Sequence, residues 1–237
     1  MITCYTGWSR GADTEWRFQC QSRGINVVIC TKSSADKQTI EEGKEKIRKA
    51  NQTLKRNVEK YLNFLALNWL QIKNSKLVIA IAPLIEPGKT GKKVWVNRCK
   101  YAMADGGTAY ALQMAIDEQI PIYIFDTVTS KWKNFSKEKN NWQDSTFPPS
   151  IKENFAGIGA SDLTENGKLA IEDVCNLSFP KKKWNLPIEP GPIYCHICTE
   201  DKKAKTDQDG LLWCSYCETY LGVVAIGDNG VHIQLNQ

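Results

Sequence analysis

The chain has 237 residues, of which 42% are hydrophobic and 24% charged, with a net charge of +5. That length suits one full α/β domain with a small appendage better than two full domains, and the composition is ordinary for a soluble globular protein. The mild basic balance does not by itself imply nucleic acid. No apolar run approaches the ~20 residues of a membrane span. The start "MITCYTGWSRGAD" turns polar too soon for a signal peptide, so a cytoplasmic location is expected.

In chain order, "MITCYTG" (1–7) reads as a short strand running into a glycine turn. "GADTEWRFQCQSRG" (11–24) reads as a helix with Trp16, Phe18 and Cys20 near its buried side, and "INVVIC" (25–30) as a buried parallel strand. Helices are expected over 39–50 and 57–73. The basic residues bunched at 43–60 then form a solvated helix face. "KLVIAIAP" (76–83) is the clearest buried strand, "GGTAYALQMAIDEQ" (106–119) a glycine turn into a helix, and "IPIYIFD" (120–126) another strand. Strands alternating with helices predict an α/β fold with a mostly parallel sheet flanked by helices. Residues 127–153 are polar and read as a long surface connection, although they hold Trp132 and Trp142.

"NFAGIGASDLTENGKLAIEDV" (154–174) then repeats the strand, glycine turn and helix pattern. Its strand is Phe155 to Ile158. Ser161 or Asp162 can cap the helix, which carries Leu163, Ala170, Ile171 and Val174 on an apolar face. "FPKKKWNLPIEPGPIY" (179–194) holds four prolines and three lysines and reads as a linker. The expected organisation is an α/β domain over 1–179, a linker over 180–193 and a cysteine module over 194–237.

Four of the nine cysteines form two C-x-x-C knuckles, "CHIC" and "CSYC", fifteen residues apart. Cys195, Cys198, Cys214 and Cys217 can converge on one tetrahedral thiolate site, so structural zinc is the expected cofactor and the module a zinc ribbon. The absence of a secretory signal favours this over a disulfide framework. A module of this size buries too little core to fold without its metal. His196 reads as exposed.

"PLIEPGKTGKK" (83–93) nearly fits a phosphate-binding loop. Pro83 stands where the first glycine belongs, Pro83 and Pro87 offer no N–H groups, and no clear helix opens at Thr90. A lysine-rich loop overhanging a site is the better reading. Three glycine turns carry more weight: "YTGWSRGAD" (5–13), "DGGTAYALQ" (105–113) and "FAGIGASD" (155–162). On parallel strands they would line one carboxyl edge, where ligands bind in open α/β folds. Thr108 can cap the helix after "GGT", whose free N–H groups favour a phosphate.

These residues resemble the SLOG superfamily, the Rossmann-like group that includes the LONELY GUY-like phosphoribohydrolases. "TGWSRGAD" is similar to the family's "GGAxGAD" turn, "ALNWLQIKNSKLVIAIAP" (66–83) to its Asn helix and strand, and "DGGTAYALQMA" to its final turn. "FAGIGASD" is similar to the family's first element, displaced to the end. The resemblance spans about 1–179 and implies a circularly permuted member, tolerable because chain ends lie close, in which strand Phe155 to Ile158 is central and paired beside Ile2 to Thr6. It implies a nucleotide or nucleotide derivative as ligand. The implied binding residues are Thr6, Gly7, Trp8, Ser9, Arg10, Gly11, Asp13, Asn68, Gly106, Gly107, Thr108, Gly157 and Gly159. Arg10 would clamp a phosphate. Asp13 would cap its own turn or receive a ribose hydroxyl. Trp8 replaces the family's second glycine, Leu67 replaces an arginine, and Gln113 stands near the family's catalytic glutamate and cannot act as acid or base.

The first functional reading is therefore nucleotide binding, for sensing or sequestering. The second is nucleotide N-glycosidic hydrolysis, with Asp13, Asp105 or Asp126 facing the anomeric carbon. The third is a nucleic-acid or protein adaptor acting through the ribbon. The expected partners are a nucleotide-type small molecule, a second copy of the chain in a homo-oligomer, and nucleic acid or protein at the ribbon, with no membrane.

Overall fold

The structure is a computed structural model that describes residues 2–56, 58–93, 96–180, 192–195, 200–206, 211–214, 220–227 and 230–235. It falls into two compact units, the first of Met1–Cys20 and Ile25–Ser178, the second of Gln21–Gly24 and Phe179–Gln237. The first unit contains strands β1 (Thr3–Thr6), β2 (Asn26–Ile29), β3 (Leu77–Ala82), β4 (Leu84–Ile85), β5 (Met103–Ala104), β6 (Ile122–Asp126), β7 (Lys131–Ser136), β8 (Asn141–Ser145) and β9 (Phe155–Gly159). Its helices are α1 (Ala12–Gln21), α2 (Lys37–Leu54), α3 (Leu62–Leu65), α4 (Asn68–Lys73), α5 (Thr108–Asp117) and α6 (Glu165–Ser178). Seven strands form one sheet in the order β2-β1-β9-β3-β6-β7-β8. The first five run parallel, and β7 and β8 add an antiparallel edge. The α/β fold with a mostly parallel sheet is as expected. So is the central position of Phe155–Ile158, which pairs with β1 through Cys4 to Thr6 and with β3 through Leu77 to Ile81.

Strand alternation sends successive side chains to opposite faces. On one face Val78, Ala80, Ala82, Ile122, Ile124, Ala156 and Ile158 join the buried residues of α2, α4 and α5 in the main core. On the other, Phe155 meets Trp16 of α1 edge to face, 5.7 Å between centroids. Trp16 also lies on Gly157, where an added Cβ would come within 2.7 Å of the indole. Glycine at 157 thus lets α1 approach the sheet, and the Trp16 indole N–H reaches back to the Ile158 carbonyl at 3.3 Å.

Three expectations are corrected. Residues 127–153 are not a surface connection throughout, because β7 and β8 form a hairpin that extends the sheet. Trp132 packs on Phe125 at 5.4 Å and Trp142 on Phe135 at 5.2 Å, and the Trp142 indole N–H donates to the Ala102 carbonyl at 2.6 Å. A polar composition hid two strands whose apolar content is concentrated in a few aromatic rings. The helix expected over 57–73 is broken into a 3-10 turn, α3 and α4. The break falls at Ala66, where α2 presses Gly43 so closely that a Cβ would strike the Ala66 carbonyl. Finally, α6 starts at Glu165, leaving Ser161 and Asp162 in the preceding turn instead of capping it.

The second unit contains β10 (Pro192–Cys195), β11 (Glu200–Thr206), β12 (Leu211–Cys214), β13 (Tyr220–Gly227) and β14 (Gly230–Leu235), antiparallel in that order. The expected hairpin over 220–235 is β13 and β14. Cys195 ends β10 and Cys214 ends β12, and these two strands run in the same direction on either side of β11. Cys198 and Cys217 lie outside the described residues, as does His196.

Candidate functional site

From β1 the chain moves outward to β2, and from β3 it moves the other way to β6. The two directions part where β9 fills the sheet. Ligands of open α/β sheets bind outside the carboxyl ends of the strands at such a point. Two cavities open there, of about 740 and 580 Å³. Both are lined by Ser9, Asp13, Phe64, Asn68 and Gln71, so they are lobes of one cleft with a shared waist.

The larger lobe adds Gly7, Trp8, Cys30, Thr31, Lys32, Ser33 and Leu67. Trp8 and Phe64 line it while 75% and 63% exposed. Large aromatic side chains left this open offer a flat stacking surface. The smaller lobe is lined by the strap residues Thr90 to Lys93, by Asp105 to Thr108 and by Ile158 to Asp162. Gly107 is the N-cap of α5, and no side chain caps that helix. Its first N–H groups therefore keep their partial positive charge for a ligand. Thr108 does not cap as expected, because its hydroxyl donates to the Gly159 carbonyl at 2.9 Å and ties the GGT turn to the end of β9.

Arg56 braces this turn from below. Its guanidinium donates to the Gly106 carbonyl at 2.8 Å and the Ala104 carbonyl at 3.4 Å, and lies over the Tyr110 ring. Asn51 holds the Arg56 backbone through both its N–H and its carbonyl, and Tyr110 donates to the same Asn51 amide. Nothing in the sequence marked Arg56 as different from its basic neighbours. Only the fold buries it.

Asp13 is 8% exposed and its Oδ2 accepts the Ser9 N–H at 3.1 Å. Burial pushes its carboxyl up to about 7, opposed by the Ser9 hydrogen bond and by the charge of Arg17. The same burial, with the nearby Asp13 charge, pushes the Cys30 thiol up to about 12, so Cys30 is an inert wall of the larger lobe. Gly7 is required at the waist, since a Cβ there would strike Asp13 Oδ2 and come within 2.8 Å of Gln71 Nε2. Asp105 accepts the Lys93 N–H at 3.1 Å through Oδ2, while its Oδ1 is buried with no partner among the described residues. Asp126 is committed to structure: it accepts the Leu84 and Val128 N–H groups and the Thr129 hydroxyl. Gln113 is committed too, accepting from the Tyr101 hydroxyl at 2.8 Å and donating to Asp117 at 2.9 Å.

Of the residues expected to bind ligand, the cleft gathers Gly7, Trp8, Ser9, Asp13, Asn68, Gly106, Gly107, Thr108 and Gly159. The others lie outside its lining. Arg10 is exposed. Thr6 is fully buried, with its hydroxyl donating to the Asp13 carbonyl. Gly11 has a positive φ of 77° and packs against the carbonyls of Ala160 and Ser161, and Gly157 packs under Trp16. The "DGGT" turn follows β5, in the two-stranded β4-β5 ribbon, and not a strand of the main sheet. Phe64, Leu67 and Gln71 were not singled out as lining residues. The spacing 64, 67, 68, 71 marks one helical face, which reads as core until the fold leaves it open to a cleft.

Among the described residues no group of three or more histidine, cysteine or acidic side chains is placed to hold a metal, and no helix is long and apolar enough to cross a membrane. Comparison with family models, curated proteins and solved structures returned no match for this chain.

Proposed function

We propose that this chain is a circularly permuted SLOG-like protein that binds a nucleotide or nucleotide derivative, to sense or sequester it, and carries an accessory structural zinc ribbon. One observation carries the binding reading: a single cleft joins an exposed aromatic pair, Trp8 and Phe64, to the uncapped N-terminus of α5. The base stacks in the larger lobe, and the phosphate takes the N–H groups at Gly107 and Thr108, with Lys92 and Lys93 beside it. Strand order supports the permutation. Counted from β9, the parallel strands run 3-2-1-4-5 across the sheet, as in dinucleotide-binding folds.

Calorimetry with nucleotide mono- and diphosphates tests the binding. Gly107→Val is expected to weaken it by about ten- to hundredfold, the effect of losing donors to a charged group at ~1.5–3 kcal/mol. Trp8→Ala weakens it by removing the stacking surface. Unchanged affinity in both variants would move the ligand out of this cleft.

A second reading, nucleotide N-glycosidic hydrolysis, is favoured by Asp13 alone. A carboxyl near 7 at the waist suits acid–base work at neutral pH, whereas Asp126 is committed elsewhere. Chromatography of products after incubation with the same panel separates hydrolysis from binding.

For the ribbon, the support is the four-thiol donor set, the start of each knuckle at a strand end, and the buried thiol of Cys214. Cys195, Cys198, Cys214 and Cys217 would hold the metal in a closed site, which serves folding and leaves no position for a catalytic water. Freshly purified protein is expected to contain about one zinc per chain. Cys214→Ser releases it while the melting transition of the α/β unit persists. Metal analysis finding no zinc would overturn the ribbon.

A further inference from the structure

We propose that the waist of the cleft is a ribose subsite that selects ribonucleotides over 2′-deoxyribonucleotides, an inference that rests on the nucleotide reading above. A nucleotide's sugar lies between its base and its phosphate. With the base at Trp8 and Phe64 and the phosphate at α5, the sugar falls on the other residues common to both lobes, Ser9, Asp13, Asn68 and Gln71. Two of these are buried polar side chains with unused hydrogen-bonding capacity. Gln71 is 5% exposed, lines both lobes, and its side-chain amide has no hydrogen-bond partner among the described residues. Asp13 is 8% exposed, and among the described residues only its Oδ2 is engaged, by the Ser9 N–H.

Neither the Gln71 amide nor Asp13 Oδ1 is sealed from solvent, so both open into the cleft, where a ligand can hydrogen-bond them. The pair here supplies a carboxyl oxygen and an amide that both donates and accepts. A vicinal diol presents two hydroxyls, each a donor and an acceptor, and satisfies both side chains at once. Gly7 makes room for the arrangement, since a Cβ there would strike Asp13 Oδ2 and come within 2.8 Å of Gln71 Nε2. A 2′-deoxy sugar leaves one buried group unpaired, and sites built to bind a hydroxyl reject analogues lacking it.

The test is calorimetry with adenine, guanine, cytosine and uracil 5′-mono- and diphosphates, each in ribo and 2′-deoxy form. The best-bound ribonucleotide is expected to bind about ten- to hundredfold tighter than its deoxy counterpart. Gln71→Met keeps the side chain's length and removes both hydrogen-bonding functions, and it should bring that ratio towards one. Trp8→Ala should weaken both sugars alike and keep the ratio. Circular dichroism and melting of each variant report folding, and the wild-type ratio tests the inference even if a variant fails to fold. Equal affinity for both sugars overturns the ribose subsite and leaves nucleotide binding standing. A ratio that survives Gln71→Met moves recognition away from the waist. No binding across the panel overturns both readings.

Discussion

A chain cut after Asn154 is expected to show no cooperative thermal transition, whereas one cut after Ile193 keeps the transition of the α/β unit. The shorter fragment lacks β9, which has a parallel neighbour on each side. Its loss strips β1 and β3 of a row of backbone hydrogen bonds in the middle of the sheet. It also removes the buried side chains of Phe155, Ile158, Ile171 and Val174, each at most 3% exposed. At ~1.5–3 kcal/mol per buried side chain these four contribute roughly 6–12 kcal/mol, comparable to the ~5–15 kcal/mol that stabilises a whole domain. Circular dichroism melts of the two fragments decide the matter. A 1–154 fragment that melts like the full chain would remove β9 from the centre of the fold.

Asp13→Asn is expected to stabilise the protein at pH 8. The sign follows from the direction of the shift. Burial raises the folded-state pKa of Asp13 from 3.8 to about 7, so the folded protein holds this proton more tightly than the unfolded chain. Stability from the protonated form is complete below about pH 4 and is lost as pH rises towards 7. Above that, the buried carboxylate costs up to about 4 kcal/mol relative to a neutral group. Asparagine never ionises, and its carbonyl can still accept the Ser9 N–H. The variant and the wild type should therefore unfold alike at pH 4, diverge between pH 4 and 7, and keep a constant gap above it. Urea titrations across that range measure the gap. Equal stability at pH 8 would mean that Asp13 is solvated in the folded state.

The periods of the chain were enough to locate its regular framework. The apolar runs 77–82 and 122–126 and the glycine-led helix at 108–117 could be read directly, because each is buried on both sides or begins at a backbone-defined turn. The glycine motif at 155–159 could be read as a strand for the same reason. Its place beside the strand at 2–6 followed from the family resemblance. Its other neighbour did not: pairing is a matter of which edges remain open after the rest of the chain has folded, and only the sheet sets Phe155 against Leu77 as well as Cys4. The hairpin of β7 and β8 was hidden because two tryptophans and one phenylalanine supply its burial within a polar stretch.

The site divides in the same way. Glycine turns are local chemistry, legible from residue types alone, whereas the uncapped start of α5 was not, because the Thr108 hydroxyl that could cap it bonds the Gly159 carbonyl instead. Arg10 looked equally suitable and ends exposed, while Arg56, indistinguishable in composition from the lysines around it, is buried beneath the GGT turn. Asp13 and Gln71 lie on separate helices, 58 positions apart in the sequence. Neither residue type nor spacing foretells that Gly7 will press them together. Side-chain direction and solvent exclusion are set by packing between distant elements, so the tertiary structure alone brought the Asp13 carboxyl and the Gln71 amide to the waist of a cleft.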